Sequence, residues 1–249
     1  MENDYIVEGR NAVMEVLKSG REVNKLVIQK GERIGSIIQI IQLAKDKKIV
    51  ITEAEKCKLD KISMTGHHQG VIIYTSPKEY CEIEDIIQIA KEKEEDPFIV
   101  ILDEIEDPYN LGSIIRTCEV AGVHGLIIPK RRSALISETV EKVSVGATNY
   151  LPIARVNNLA QTIDALKKMN IWVVGTDIAA PKIHSDTDLS GSIALIIGNE
   201  GKGMGRLVKE KCDFLIKIPM KGKVSSLNAG VSAGICIYEI VRQRGNIKI

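Results

Sequence analysis

Five short and almost wholly apolar runs between residues 98 and 219 restrict the available folds more than any other feature. None of them alternates apolar with polar residues, so each predicts a strand that is buried on both faces. Helical patterns at 137–146 and 158–169 lie between them, and strands that alternate with helices predict a parallel sheet covered by helices on both faces. The runs occupy residues 98–102, 125–129, 172–177, 193–198 and 214–219.

Three of these predicted strands run into polar or glycine-rich segments, at residues 103–116, 198–205 and 219–228. In an open parallel sheet, ligands bind at the carboxyl ends of the strands. We therefore expect a binding site where the three segments meet.

The chain divides into two predicted domains. Residues 1–75 predict a small α/β unit, residues 76–97 predict an acidic linker with one amphipathic helix and the charge run KEKEED, and residues 98–249 form the second domain. In the small unit, apolar periodicity predicts helices around 12–17 and 34–44, and strands at 25–29, 49–52 and 70–75.

Composition excludes several classes of protein. The content of 44% hydrophobic and 27% charged residues is typical of a globular protein. No run of eighteen apolar residues predicts a membrane span, and charges throughout the first thirty residues are unlike a secretion signal. The net charge of +1 conceals an acidic segment between two basic regions, which is compatible with a polyanionic partner.

The cysteines and histidines predict neither a disulfide framework nor a metal site. The five cysteines are scattered and include no CxxC pair, which indicates a reducing, cytoplasmic location. His67 and His68 are adjacent, so in extended chain they would point to opposite faces and make a poor metal pair. A loop that contacts RNA phosphate is the better interpretation of these histidines.

Residues 216–244 predict a strand, a loop with lysine and glycine, and a long helix. Ser225, Ser226 and Asn228 are residue types that cap helix N termini, so we predict that the helix begins near Leu227. Apolar spacing predicts the buried face of this helix at Val231, Ile235, Tyr238 and Val241.

Five small residues between Ala229 and Gly234 open this helix, although each glycine costs about 1 kcal/mol relative to alanine. Such a run indicates that something comes close to the backbone. Two explanations remain open: a tightly packed second helix, or a ligand at the helix N terminus.

The segment Gly198–Gly205 has four glycines in eight residues, which allows a ligand to approach the backbone. It matches neither GxxxxGK[ST] nor GxGxxG, so it is not a typical nucleotide-binding loop. Its single carboxylate, Glu200, favours a cationic partner, and a solvated loop carboxylate is the alternative.

Three motifs together resemble a known family. The motifs are DPYNLG at 107–112 with Arg116, IIGNEGKG at 196–203, and IPMKGKVSSLN at 218–228. In this order and at strand ends, they resemble the SpoU/TrmH class of RNA 2′-O-methyltransferases in the SPOUT superfamily. Residues 1–75, with GRNAV at 9–13 and HQG at 68–70, resemble the L30e-like RNA-binding domain of the bacterial 23S rRNA guanosine-2′-O-methyltransferases in this class.

This resemblance implies a catalytic domain with a C-terminal trefoil knot, a homodimer whose active sites use residues of both subunits, and no metal. It implies that S-adenosylmethionine binds at Thr176, Gly198, Ile218 and Leu227. The catalytic residues that it implies are Asn110, Arg116, Glu200, Ser226 and Asn228.

The role of Arg116 stays open at this stage. The resemblance implies a general base that Glu200 and Asn110 position, yet arginine holds its proton firmly at neutral pH. Stabilisation of a developing alkoxide beside a phosphate is an equal alternative. An ion pair with Glu200 would favour the charged guanidinium and weigh against the base role.

The sequence departs from the family pattern in one place, where SLNAGVSAG at 226–234 stands for the commoner SLNVSVAAG. Ser226 and Asn228 are retained, so only helix packing is expected to differ. The N-terminal domain favours ribosomal RNA as substrate, with tRNA as the alternative, and the resemblance implies a guanosine of 23S rRNA. A non-catalytic RNA-binding factor and another nucleotide-dependent enzyme are the rival hypotheses, and the latter lacks its expected loop.

Overall fold

The structure is a computed structural model, which describes residues 5–18, 22–31, 35–63, 65–76, 79–224 and 226–245. The chain forms two compact units. The first comprises Met1–Glu79 and Leu135–Thr139, and the second comprises Tyr80–Ala134 and Val140–Ile249.

The first unit is a four-stranded mixed sheet with the strand order β1-β4-β2-β3. Helices α1 and α2 pack on one face around Leu26 and Ile28, and α3 packs on the other face through Leu59. Its elements are β1 (Tyr5–Glu8), α1 (Arg10–Lys18), β2 (Val23–Gln29), α2 (Ser36–Asp46), β3 (Ile51–Ala54), α3 (Lys56–Ile62) and β4 (Val71–Thr75).

The predicted α/β character of this unit is confirmed, with differences at the element bounds. The predicted strand at 49–52 lies two residues later, at Ile51–Ala54. The predicted start of the second helix, Ile34, lies outside the described residues. The sequence prediction missed β1 and α3, because both are short and only one of their residues, Leu59, is buried.

The second unit is built on seven parallel strands in the order β7-β6-β5-β10-β8-β11-β9. Its strands are β5 (Phe98–Asp103), β6 (Gly125–Pro129), β7 (Ile153–Val156), β8 (Trp172–Thr176), β9 (Lys182–Ile183), β10 (Ile193–Gly198) and β11 (Phe214–Lys217). Its helices are α4 (Ile83–Glu92), α5 (Pro108–Val120), α6 (Glu138–Val143), α7 (Leu159–Lys168), α8 (Arg206–Lys211) and α9 (Ala229–Gln243).

Helices cover both faces of this sheet, as the apolar runs predict. Side chains alternate along a strand, so Ile99 and Ile101 of β5 point to one face, where they join a core with α4, α7 and α8. Val100 and Leu102 are equally buried on the opposite face, where α5 and α9 pack against each other and against strands. The predicted parallel α/β sheet is therefore confirmed.

The segment predicted as an acidic linker, 76–97, contains α4. Ile86 of this helix is fully buried in the core of the second unit, and a Cβ added to Gly125 would lie 2.5 Å from its side chain. Much of the segment is thus packed on the second sheet. The domain bounds 1–75, 76–97 and 98–249 stay a proposal.

Helix α9 begins at Ala229, two residues after the predicted position, and its predicted buried face is wrong. Val231 and Tyr238 are 51% and 45% exposed. The core-facing residues lie on another side of the helix: Ala229, Gly230, Ala233, Cys236, Ile237 and Ile240. Periodicity alone could not separate the two stripes, because α9 carries apolar residues on both.

Among the described residues, no helix is both long and apolar enough to span a membrane. All five cysteines are free thiols.

Candidate active site

The carboxyl ends of β5 and β10 lie side by side, because these parallel strands are in register up to Asp103 and Gly198. The segments that follow them therefore leave the sheet at the same edge. The segment between β11 and α9 reaches the same place, since Asn228 contacts residues of both other segments. The expectation that the three segments meet is confirmed.

Helix α5 begins with a well-formed cap that fixes Asn110. The carboxylate of Asp107 accepts hydrogen bonds from the amides of Tyr109 and Asn110, at 3.3 and 3.1 Å. Pro108 occupies the first turn, where its missing N–H costs nothing. The DPYN run is thus a helix start that holds the Asn110 side chain at the edge of the sheet.

Asn228 caps α9 and also reaches out of the helix. Its Oδ1 accepts the amides of Gly230 and Val231, at 2.9 and 3.2 Å. Its Nδ2 donates to Oδ1 of Asn110 at 2.8 Å. One side-chain amide therefore ties the starts of α5 and α9 together.

Glu200 is the junction of this cluster. Its Oε1 accepts three hydrogen bonds: from Asn228 Nδ2 at 2.7 Å, from the Ala229 amide at 2.7 Å, and from Asn110 Nδ2 at 3.1 Å. The last two donors belong to the first turns of α9 and α5, whose positive dipole ends favour a negative charge. Within the described part of the chain, Oε2 of Glu200 accepts no hydrogen bond, so this oxygen remains available to a ligand.

The small residues at the start of α9 lie both against a second helix and beside a cavity, as the two explanations require. Ala229 and Ser232 line a cavity. A Cβ on Gly230 would lie 3.2 Å from Oγ of Ser113 in α5, so the two helices also pack closely there. A Cβ on Gly234, by contrast, would meet nothing within 4 Å.

The glycine-rich segment folds back on the end of β10. A Cβ on Gly198 would lie 2.5 Å from the Met204 amide nitrogen. Gly203 has φ +70, a conformation that favours glycine. Asp103 lies beneath the segment and accepts the Gly205 amide at 2.7 Å. Burial raises the pKa of Asp103, and this hydrogen bond opposes the shift.

A cavity of about 460 Å³ opens between these segments, within the size range of small-molecule sites. The cavity is lined by all four predicted cofactor residues, which are Thr176, Gly198, Ile218 and Leu227. The predicted catalytic residues Glu200 and Ser226 also line it. Apolar walls come from Ile197, Ile216, Ile218, Met220 and Leu227, and charged residues are Asp177, Glu200, Lys202 and Lys217. The cavity can enclose an apolar ring system and present a carboxylate to a cationic group.

Sequence reasoning assigned no role to Asp177, which follows β8 and lines the cavity. Burial would raise the pKa of Asp177, but hydrogen bonds from Lys209 and from the Ala179 amide keep it below its ordinary value. The Lys209 contact is 2.6 Å. The rule that ligands gather at strand ends could have identified this residue, because β8 lies beside β10 in the sheet.

Arg116 does not join the cluster. It is exposed on α5 and forms no hydrogen bond or ion pair with the residues that the structure describes. The expected pairing of Arg116 with Glu200 is therefore absent, and Asn110 and Asn228 hold Glu200 instead. Helix geometry explains this, because Arg116 lies about 9 Å along the axis from Asn110 and about 120° around it.

In the described ranges, no group of three or more histidine, cysteine, aspartate or glutamate side chains could hold a metal ion.

Two protein families match the sequence. Residues 97–238 match the SpoU rRNA methylase family, and residues 6–81 match the family described as RNA 2′-O ribose methyltransferase substrate binding. A relative from Bacillus subtilis strain 168, named putative TrmH family tRNA/rRNA methyltransferase YacO, is 50% identical over 246 residues, which are 99% of this chain and 98% of the relative.

Solved structures of similar fold come from the same group of proteins. The SpoU methyltransferase AviRb from Streptomyces viridochromogenes, in complex with AdoMet, has a TM-score of 0.61 and 26% identity, over 96% of this chain and 90% of its own. An AdoMet-bound rRNA methyltransferase from Sinorhizobium meliloti has a TM-score of 0.58 and 25% identity, over 95% and 86%. With the sequence families and the cluster at the sheet edge, these likenesses establish that the chain belongs to the SpoU/TrmH family of RNA methyltransferases.

Proposed function

We propose that this chain transfers the methyl group of S-adenosylmethionine to a ribose 2′-hydroxyl of RNA, and that the target is a guanosine of 23S rRNA. The observation that carries the proposal is the convergence of Asn110, Asn228 and the Ala229 amide on Glu200 at the cavity. The match of residues 6–81 to a substrate-binding family supports RNA as the substrate. We place the reaction in the cytoplasm, where the five thiols would stay reduced.

The cavity fits S-adenosylmethionine in size and in chemistry. Its apolar walls suit an adenine ring, and the glycine-rich segment has few side chains that would keep a ligand away from the backbone. The carboxylate of Glu200 suits a sulfonium cation. When bound, the cofactor would supply an electrophilic methyl group attached to that sulfonium.

In the proposed reaction, the ribose oxygen would form a bond to the methyl carbon, the sulfur would keep the electron pair of the broken bond, and the hydroxyl proton would pass to solvent. The cluster of Asn110, Glu200 and Asn228 would hold the ribose in line, and the open Oε2 of Glu200 would accept a hydrogen bond from it. Ser226 lines the same cavity and would contact the ribose or phosphate. A guanidinium beside the ribose would stabilise the developing alkoxide.

We infer that this guanidinium is Arg116 of the partner subunit in a homodimer. Arg116 and Val120 are exposed on α5, and Val231 is exposed on α9, the helix that packs against α5. The side chains of Val120 and Val231 are 65% and 51% exposed. Among the described residues, no atom outside α9 lies within 4 Å of a Cβ added to Gly234. A second copy that packs closely here would account for a helical glycine that costs about 1 kcal/mol.

The test is methyl transfer from labelled S-adenosylmethionine to unmodified 23S rRNA, 16S rRNA and tRNA, followed by alkaline hydrolysis. A ribose 2′-O-methyl group blocks hydrolysis of the next phosphodiester, so the label should remain in an alkali-resistant dinucleotide from 23S rRNA. We expect Arg116→Ala to lower kcat by about 100-fold or more, with the Kd for S-adenosylmethionine nearly unchanged.

Other results would point elsewhere. Label in tRNA alone would favour the alternative substrate, which the name of the Bacillus relative leaves open. Label on a base would contradict ribose methylation. Loss of cofactor binding in Arg116→Ala would indicate a structural role for that residue. A wild-type protein that binds RNA and transfers no methyl to any of the three would favour the non-catalytic RNA-binding factor.

A further inference from the structure

We propose that Asn199 is a positioning residue that gives the glycine-rich segment its shape and sets the place of Glu200. This inference rests on the proposed function for its catalytic consequence, but its structural part concerns the free protein alone. Asn199 lines the same cavity but donates no hydrogen bond to Glu200, whose partners among the described residues are Asn110, Asn228 and the Ala229 amide.

The side chain of Asn199 joins two neighbouring segments. Its Oδ1 accepts the amides of Gly201 and Lys202, at 2.9 and 3.1 Å. Its Nδ2 donates to the backbone carbonyl of Glu104 at 3.0 Å. The backbone of Asn199 also exchanges two hydrogen bonds with Gly203, at 2.8 and 3.1 Å.

These contacts clamp the glycine-rich segment to the end of β5 at both of its ends. Asn199 holds the first end through Glu104, and the Gly205 amide holds the second end on Asp103. The carboxylate of Glu104 also pairs with the exposed Arg132 at 2.7 Å. Glu200 lies directly after the first clamp, so the position of its carboxylate depends on that clamp.

The three side-chain contacts use both halves of the asparagine amide. The two amides require an acceptor, and the Glu104 carbonyl requires a donor on the same short side chain. The acceptor, Oδ1, holds the backbone of Gly201 and Lys202, which line the cavity. The donor half anchors the segment to β5. The two halves can therefore be separated by substitution.

The experiment compares Asn199→Ala and Asn199→Asp with the wild-type protein. Three quantities are measured: hydrogen exchange of the Gly201 and Lys202 amides, the Kd for S-adenosylmethionine, and kcat on the RNA that the wild type methylates. Asp188→Ala is the matched control, because Asp188 makes the same kind of turn with Ser190 and does not line the cavity.

Asn199→Ala should speed exchange of both amides and raise the Kd, each by about 10-fold, because it loses the acceptor. Asn199→Asp keeps the acceptor, so exchange and Kd should stay within about threefold, while kcat falls by about 10-fold or more through the lost anchor. Asp188→Ala should match the wild type in all three. If Asn199→Ala fails to fold, the split between Kd and kcat in Asn199→Asp carries the test.

The inference would be overturned if both variants showed the same amide exchange, Kd and kcat as the wild-type protein. So would equal losses in both variants, since these would indicate general destabilisation. The proposed function fails separately: if no RNA accepts a methyl group from the wild type while Asn199→Ala still speeds exchange and weakens cofactor binding, the positioning role stands and the proposed reaction does not.

Discussion

Asn228 serves two purposes with the two ends of one amide. Its oxygen caps α9 and its nitrogen binds Asn110 and Glu200. The residue type was predicted as a cap from the sequence, because side-chain oxygens at this position satisfy free helix amides. The hydrogen bonds from its nitrogen could not be predicted from the capping rule, because they depend on Asn110 and Glu200, which lie more than 25 positions away in the chain.

Substitution can separate these two purposes. Asn228→Asp keeps the capping oxygen but replaces the amide donor by a second carboxylate oxygen beside Glu200. We expect the thermal stability to change little, because an aspartate caps as well as an asparagine. We expect kcat for methyl transfer to fall by about 100-fold, because repulsion between the new carboxylate and Glu200 would move Glu200 out of its position.

The control for this variant is Asn158→Asp, since Asn158 caps α7 through the Gln161 amide and lies outside the cluster. It should keep both stability and kcat. A fully active Asn228→Asp enzyme would contradict the role given to the Asn228 amide.

At the scale of elements, the end of β10 decides the shape of the cavity. Gly198 is both the last residue of this strand and a cavity-lining residue. The segment returns so closely that Met204 and Gly203 occupy the space of a side chain. Sequence reasoning predicted close backbone approach here, but expected a ligand. The structure shows that the chain itself approaches Gly198, and the ligand cavity lies alongside.

Gly198→Ala should therefore destabilise the segment and weaken cofactor binding. The added Cβ would lie 2.5 Å from a backbone nitrogen that cannot move alone, and overpacking of this kind costs about 1–3 kcal/mol. We expect a lower Tm and a Kd for S-adenosylmethionine that is raised by about 10-fold or more.

Gly191→Ala is the matched control, because a Cβ at Gly191 would meet nothing within 4 Å. Thermal unfolding and calorimetric titration of both variants provide the comparison. Equal effects of the two substitutions would show that crowding at Gly198 is not what makes the glycine necessary.

At the scale of the whole molecule, the incomplete cluster and the exposed face of α9 have one explanation. Arg116 is exposed on α5 and does not contact Glu200, and the apolar residues Val231 and Tyr238 are turned away from the core. The prediction that this stripe is buried fails within one chain. It would hold in a homodimer that covers the stripe.

Val231→Asp tests this explanation, because a charge on the stripe would oppose burial against a second copy. We expect light scattering to give the mass of a single chain, 27.4 kDa, where the wild type gives twice that value. We also expect methyl transfer to be lost. Leu207→Asp, on the 54% exposed side chain of Leu207 in α8, should leave mass and activity unchanged.

The sequence predicts features that depend on interactions between residues close together in the chain. Strands and helices with strong periodicity were predicted, as were the Asn228 cap of α9 and the meeting of three strand ends. The position of Arg116 and the exposed face of α9 could not be predicted in this way, because both depend on how elements distant in the chain pack together. The trefoil knot stays a prediction, because strand order does not report how the chain is threaded.

The central claim is that the cluster of one chain works with the guanidinium of another. The most direct measurement mixes two variants, Arg116→Ala and Glu200→Gln, after each has been shown to be inactive alone. If subunits exchange at random, half of the dimers are mixed, and each mixed dimer has one site with both Glu200 and Arg116 intact. We predict recovery of about one quarter of the wild-type activity. If activity does not return although mixed dimers are shown to form, Arg116 does not act across the subunits, and the account is contradicted.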